Sequence, residues 1–446
     1  MCPNSRPAFR QPSGPNTRSP VPHLLILELP GGNDFTVIED AVAAGHEVTL
    51  ATSDLGHYRS LGAGADASLS LVVDTIEVQP FDYDRFEIEV LARNASHPFD
   101  AVLCLVDIRV IDASRVASRL GLRFLNVDTA RLTRDKTKVR DRLAKANIRQ
   151  PRFARARTSA ELRDAVFRVG YPCVVKLSDG YGSQSVTLLS GDADLEALEV
   201  LFRGASSEPI DYGLGASSSG SYSVEQYIVG NFIGCDVFAS DGHRTMLGIN
   251  DKLMFPPPSF AIRGSCFPSR RYDAMRIRDY AFSILDALDF DMGATHIEMI
   301  VANGEPYLVE VNARLVSAQI PYQMGYAFER SVYLDLVDLH LGKTATEFGS
   351  IVPIWFSAIR WFSADRAGKI ARFELPHDTP DSVRRVVLLK GEGDEVAPPL
   401  QNADRLGYVI AVGASQEQAE QIADSYITAT CIEVVAYAPP AGAPRS

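Results

Sequence analysis

In the first hundred or so residues, short apolar runs alternate with stretches of helical spacing: HLLILEL from His23, residues 34–44, HEVTLAT, then AVLCLV, residues 111–120 and RFLNV. That rhythm predicts a parallel α/β layer over about residues 23–127. Residues 131–148, RLTRDKTKVRDRLAKANI, set Leu132, Val139 and Leu143 among many cations and predict an amphipathic helix with a basic face, ended by Pro151. Beyond it come the extended run YPCVVKLSDGYGSQSVTLL, an acidic helix over 192–203, a Ser/Gly-rich loop over 204–221 and the strand YSVEQYIV. A second α/β block follows from Asn231 to about 345, and from about 350 a last block of short strands with a helix over 415–427.

The densest chemistry lies in GATHIEMIVANGEPYLVEVNARL, residues 293–315. Its runs HIEMIV and PYLVEV flank Asn303-Gly304 and predict an antiparallel hairpin. A two-residue loop would set Glu298 opposite Val309 and split the carboxylates between two faces. A three-residue loop, Asn303 to Glu305, sets Glu298 opposite Glu310 and His296 opposite Asn312, and this is the loop expected, because only then do the oxygens converge. Carboxylates on an apolar strand need compensating charge, and Mg²⁺, which favours oxygen ligands together with phosphate, supplies it. Glu298, Glu310 and Asn312 are therefore the candidate metal ligands, with Arg314 beside them.

Other candidates lie upstream. Lys176 ends a strand and precedes Ser178-Asp-Gly-Tyr-Gly-Ser-Gln-Ser185, a small-residue loop whose backbone N–H groups can close over phosphates. The strand Val224-Glu225-Gln226-Tyr227-Ile228 ends at Gly230; on its own it is simply a strand, and it could serve as a hinge whose backbone groups meet an adenine edge. Residues 252–271, rich in proline and aromatics, read as a stiff wall in which Arg263 could clamp a substrate carboxylate. The Trp361 region, AIRWFSADRAG, reads as packing within the last block. Pro30-Gly31-Gly32 lacks the GxGxxG pattern and reads as a structural turn.

Composition narrows the class. With 446 residues, 46% hydrophobic, the chain can bury a core of two to four domains. A net charge of −12 disfavours nucleic acid as a partner. The six cysteines are dispersed without CxxC pairs, which points to reduced thiols in a cytoplasmic protein. Residues 1–22 read as a disordered tail, and no segment reaches the ~20 apolar residues that span a bilayer.

In that order, a lysine helix, a lysine with a glycine loop, an E-Q-Y-I strand and an acid-bearing hairpin resemble the ATP-grasp superfamily over roughly residues 23–440. GATHIE at 293–298 and DRLGYVIAVGAS at 404–415 look similar to the amino-acid ligase branch, the bacilysin-type dipeptide synthetases. The resemblance implies an α/β fold, α+β in parts, divided into a Rossmann-like domain (23–130), two ATP-clamping lobes (131–230 and 231–348) and a small β-rich subdomain (349–440). It implies ATP with one or two Mg²⁺ or Mn²⁺ ions on Glu298, Glu310 and Asn312. Lys136, Lys176, Ser178, Gly180, Gly182 and Ser183 would meet the phosphates, and Gln226, Tyr227 and Ile228 the adenine, with Glu225 beside its amino group. Arg314 would stabilise transferring charge, and His296 and Arg263 would face substrate. Where many members carry a ribose-binding acid this chain has Phe232, so either ribose recognition is rebuilt, with Asp236 the candidate, or the nucleotide sits differently.

The activity so implied is ligation of an amino-acid-like carboxylate to the amine of an amino acid or peptide, through an acyl phosphate. Two alternatives are an ATP-dependent carboxylase or carbamoyl-phosphate-type enzyme using bicarbonate, and a non-catalytic nucleotide-binding regulator. Amino acids or peptides are the expected partners. A homodimer is expected by analogy with relatives of the fold.

Overall fold

The computed structural model describes residues 21–32, 34–180, 186–204, 211–213, 216–217, 220–256 and 259–436. Most of the expected tail, Gly182 and Ser183, most of the 204–221 loop and the closing APPAGAPRS lie outside the described residues. The fold is mixed α/β. Four strands form a parallel sheet in the order Asp74–Glu77, Glu47–Thr52, His23–Leu27, Ala101–Cys104. Every residue of HLLIL is buried, as a parallel strand covered on both faces requires. Two local readings change. RFLNV forms no strand, because Asn126 instead caps the helix Val127–Thr133 by accepting from the Thr129 N–H. Asp74–Glu77, whose one apolar residue is Ile76, pairs at the sheet edge.

The basic helix expected over 131–148 is two helices, Val127–Thr133 and Lys136–Lys145. Asp135 makes the break, since its carboxylate accepts from the Thr137 and Lys138 N–H groups as an N-cap. Lys136 is thereby the first residue of a helix, and its N–H donates to Ser178 O at 2.8 Å.

An antiparallel sheet, Phe153–Ala156, Tyr222–Gln226, Cys173–Leu177, Thr187–Leu189, makes a lobe with a core of its own. The largest sheet has eight strands: Glu305–Asn312, Gly293–Ala302, Asn231–Ser240, His243–Met254, Ile262–Phe267, Phe356–Phe362, Gly407–Gly413 and Val383–Leu388. It runs unbroken from the hairpin into the last block, so the walls from residues 262 and 361 stand side by side. Its hairpin strands share a core with the parallel sheet and the helix Ala274–Ala287.

The hairpin reaches the expected pairing by a different route. Ala302 pairs Glu305, so the loop is two residues, Asn303 and Gly304, both at positive φ (52° and 79°). The register then shifts between Glu298 and Met299: Met299 pairs Leu308, while Glu298 pairs Glu310 and His296 pairs Asn312. Val309 is the extra residue of a β-bulge. Because side chains alternate with period two, the bulge turns Glu310 and Asn312 onto the face that would otherwise carry Val309 and Val311.

Candidate active site

Between the small lobe and the large sheet lies a cavity of about 460 Å³, which the hairpin, the hinge after Gln226 and the last block all line. Lys136, Lys176, Glu298, Glu310, Asn312 and Arg314 meet on its polar side. Lys136 Nζ stands 2.8 Å from Glu310 and also contacts the Gly180 carbonyl. Lys176 Nζ is 3.0 Å from Glu225 and 3.2 Å from the carbonyl of the bulge residue Val309. The bulge therefore serves twice: it aims Glu310 and presents an acceptor to Lys176.

Glu225 lines the cavity but is not free for an adenine amino group. Its oxygens accept from Arg140 (2.7 and 3.2 Å), Lys176 and the Ser223 hydroxyl. Burial alone would push this carboxyl up, yet Arg140 and Lys176 bring it down to about 2. Burial likewise pushes Lys176 down, with Glu225 opposing. Arg140, itself buried, also donates to the Leu308 and Val309 carbonyls and so ties the lobe to the hairpin.

Arg314 is held from the parallel-sheet domain. Its Nε and Nη2 donate to Asp107 at 2.7 and 2.5 Å, and its Nη1 to Leu315 O. Burial raises the Asp107 carboxyl, but Arg314, Arg134 and Lys136 together more than offset it and hold it below its ordinary value. Asp107 was invisible in the sequence, two hundred residues away in a turn after AVLCLV.

Lys252 is a second residue the sequence reading missed. Its Nζ is 2.5 Å from Glu298, 3.1 Å from His296 Nε2 and 4.5 Å from the centre of the Phe232 ring. Burial would raise Glu298; Lys252 and His296 hold it well below the usual carboxylate range. His296 lies across Gly234, where any Cβ would collide with the imidazole. Its Nδ1 is 2.9 Å from Asp236. Both ring nitrogens are thus engaged within the protein.

Three expected site residues fall elsewhere. Asp236 is buried behind His296 and does not line the cavity, so it cannot take ribose hydroxyls. Arg263 is exposed and also off the cavity, because its neighbours Ile262 and Ser265 supply the inward face. Ser178 is buried, and it acts through its backbone, receiving the Lys136 N–H and donating to Ser221 O. Trp361, read as packing, both packs on Tyr408 and lines the cavity.

At the hinge, the Gln226 and Tyr227 N–H groups already donate to Arg152 O and Pro172 O. Ile228 N–H has no acceptor among the described residues. The donor set fits a hard cation: two carboxylates and an amide oxygen on one wall are what Mg²⁺ takes when phosphates and water complete its shell. Among the described residues no cluster of three or more His, Cys, Asp or Glu side chains forms a closed metal cage. Cysteine plays no part here. Cys104 and Cys173 are buried, which pushes their thiols up to about 12 and 11. No helix among the described residues is long and apolar enough to cross a membrane.

Comparison with known proteins places two family domains on the chain. Residues 169–321 match the ATP-grasp domain, and residues 360–435 match the L-amino acid ligase C-terminal domain 2. An uncharacterised protein, y4rH, of Sinorhizobium fredii is 28% identical over 303 residues, 65% of this chain and 58% of its own length. Alanine–anticapsin ligase of Bacillus subtilis is 25% identical over 232 residues, 48% of each chain. The chain thus spans about half the length of the curated relatives it matches. The crystal structure of an L-amino acid ligase from Bacillus licheniformis superposes with a TM-score of 0.76 at 20% identity, covering 94% of this chain and all of that one, a likeness of fold. The chain thus carries an ATP-grasp domain over residues 169–321 and, over residues 360–435, a segment that matches the C-terminal domain 2 of the L-amino acid ligases.

Proposed function

We propose that this chain is an ADP-forming carboxylate–amine ligase, joining an amino-acid-like carboxylate to the amine of an amino acid or peptide. The observation that carries the reading is the gathering of Lys136, Lys176, Glu298, Glu310, Asn312 and Arg314 round one cavity that a ligase-type C-terminal block also lines. Adenine would lie along the hinge, taking the free Ile228 N–H. Lys136 and Lys176, each already beside an acid, offset phosphate charge without leaving a bare cation when the nucleotide departs. Glu298, Glu310 and Asn312 would hold Mg²⁺ or Mn²⁺, one or two ions, which when bound spreads the phosphates' negative charge.

The chemistry then needs no side-chain nucleophile. A substrate carboxylate oxygen attacks the γ-phosphorus, the bond to the bridging oxygen breaks, and ADP leaves. Arg314, pinned by Asp107, faces the charge that develops on the transferring group. The unprotonated amine attacks the acyl carbon, the carbon–oxygen bond breaks toward phosphate, and the nitrogen gives up one proton to the departing phosphate or to solvent.

Phosphate release from Mg-ATP, measured against a panel of amino acids, pairs and short peptides with product masses read in parallel, tests this. ADP, phosphate and a product lighter by one water than its two substrates are expected. Release with bicarbonate and none with any amine would transfer the chain to the carboxylase reading, and silence throughout would favour a nucleotide-binding regulator.

A further inference from the structure

Among the described residues, one cation that lines the cavity has no ion-pair partner. Arg405 follows the turn Asn402–Asp404 and its guanidinium lies over the Trp361 ring, 3.4 Å from the centroid. Nε donates to Asn402 O at 2.7 Å and Nη1 to Ile262 O at 3.4 Å. These use two of its five N–H groups, and among the described residues no carboxylate forms an ion pair with it. Its sequence neighbour Asp404 is engaged elsewhere, accepting from the Leu400 and Gln401 N–H groups at 2.9 and 3.0 Å. Arg405 and Trp361 both line the cavity that Arg314 lines. Burial with no acid to offset it pushes the guanidinium down to about 9, a desolvation that an arriving anion would relieve.

We infer that Arg405, braced flat on Trp361, is a specificity-determining residue that binds a substrate carboxylate other than the one phosphorylated. The inference rests on the ligase reading above. Joining two amino acids consumes one carboxylate at the phosphoryl end and leaves a second one free. That second carboxylate enters a partly apolar cavity and requires a counter-charge. A planar guanidinium fixed by an aromatic face and two carbonyls presents the remaining N–H groups as a fork of carboxylate geometry. Lys136, Lys176, Lys252 and Arg314 each already face an acid, so none of them offers an open slot of this kind. The free carboxylate could belong to the amine-bearing substrate or to an acidic side chain of the activated one, and the same fork would serve either.

The test uses the full chain with Arg405→Met and Arg405→Lys, each compared with the wild type on free amino acids and on their C-terminal amides. The wild type should favour the free acid through KM, and Arg405→Met should erase that preference by a factor on the order of 10–100, the worth of charge-assisted hydrogen bonds. Arg405→Lys should restore part of it. Loss of preference in the attacking substrate assigns the carboxylate there, whereas loss confined to acidic activated substrates assigns it to their side chain. An unchanged acid-to-amide ratio in Arg405→Met, together with an unchanged KM for acidic activated substrates relative to their neutral side-chain amides, overturns the inference. If the wild type ligates no pair, the ligase reading fails separately, and calorimetric titration of both proteins with free amino acids and dipeptides decides the subsite: weaker binding by Arg405→Met supports it, and equal or absent binding overturns it.

Discussion

At the hairpin end of the cavity Lys136 faces Glu310, Lys176 faces Glu225, Lys252 faces Glu298 and Arg314 faces Asp107. At the C-terminal wall Arg405 faces an indole and two carbonyls. The contrast follows from what each end must tolerate. On the proposed function, a triphosphate with its metal would bring large charges of both signs and take them away again, so the protein would keep its own counter-ions in place and re-pair them as ligands come and go. A subsite for one anion needs the reverse, a donor fork left open and rigid. Breaking a pair at the first end should therefore be costly to the fold, while removing the cation at the second should be felt mainly by substrate.

The largest expected effect is Glu225→Gln. It leaves Arg140 and Lys176 buried against a neutral amide, and breaking a buried pair in this way costs about 3–5 kcal/mol. The denaturant midpoint reads it, and a loss below about 1 kcal/mol would mean that the paired end is not structural. Next is Arg314→Lys. A lysine cannot reproduce the fork on Asp107, so ADP-forming turnover should fall about 10²–10³-fold, as on removal of one preorganised donor, with nucleotide affinity little changed. Asp107→Asn should lower turnover less than Arg314→Lys, because Arg314 itself remains. Equal activity in Arg314→Lys and the wild type would remove Arg314 from the chemistry.

How much of this was legible in the sequence depends on how local the signal is. The hairpin acids could be read because alternation and Asn303-Gly304 are local, and the 298–310 pairing was correct. Its reason was not. A bulge at Val309 leaves no mark in a period-two pattern, so an extra loop residue stood in for it. Asp236 and Arg263 were misassigned because a strand sequence gives two faces without saying which one meets the cavity. Lys252 and Asp251 show the same ambiguity from the other side: Asp251 turns away to Arg271 and the Cys266 N–H, and Lys252 turns in. Asp107 and Arg405 depend on contacts between distant segments, and Asp404-Arg405 looks on paper like an ordinary surface pair. The parallel sheet was readable from its apolar runs, while its edge strand Asp74–Glu77, polar at three of its four residues, was not.

A turn remote from both charge sets calibrates the scale between them. Gly304 takes φ of 79°, and a Cβ there would meet nothing within 4 Å, so Gly304→Ala charges the fold only for left-handed backbone, about 1–2 kcal/mol. Urea unfolding reads it. A loss well above that range would show that the two-residue loop also holds the bulge in register, and turnover would then fall with stability instead of surviving it.

The smallest effect on the fold should come from Arg405→Met. The substitution gives up a cation–π contact and two hydrogen bonds to carbonyls, but it also removes a desolvated charge and keeps an apolar stem on Trp361. Those contributions oppose one another, and the melting midpoint should stay within about 1 kcal/mol of the wild type. Set beside Glu225→Gln, this is the sharpest form of the contrast: two charged residues lining one cavity, one whose loss unseats the fold and one whose loss does not. A destabilisation by Arg405→Met as large as that of Glu225→Gln would mean that Arg405 is a structural cation like the others, and the distinction between the two ends would fall with it.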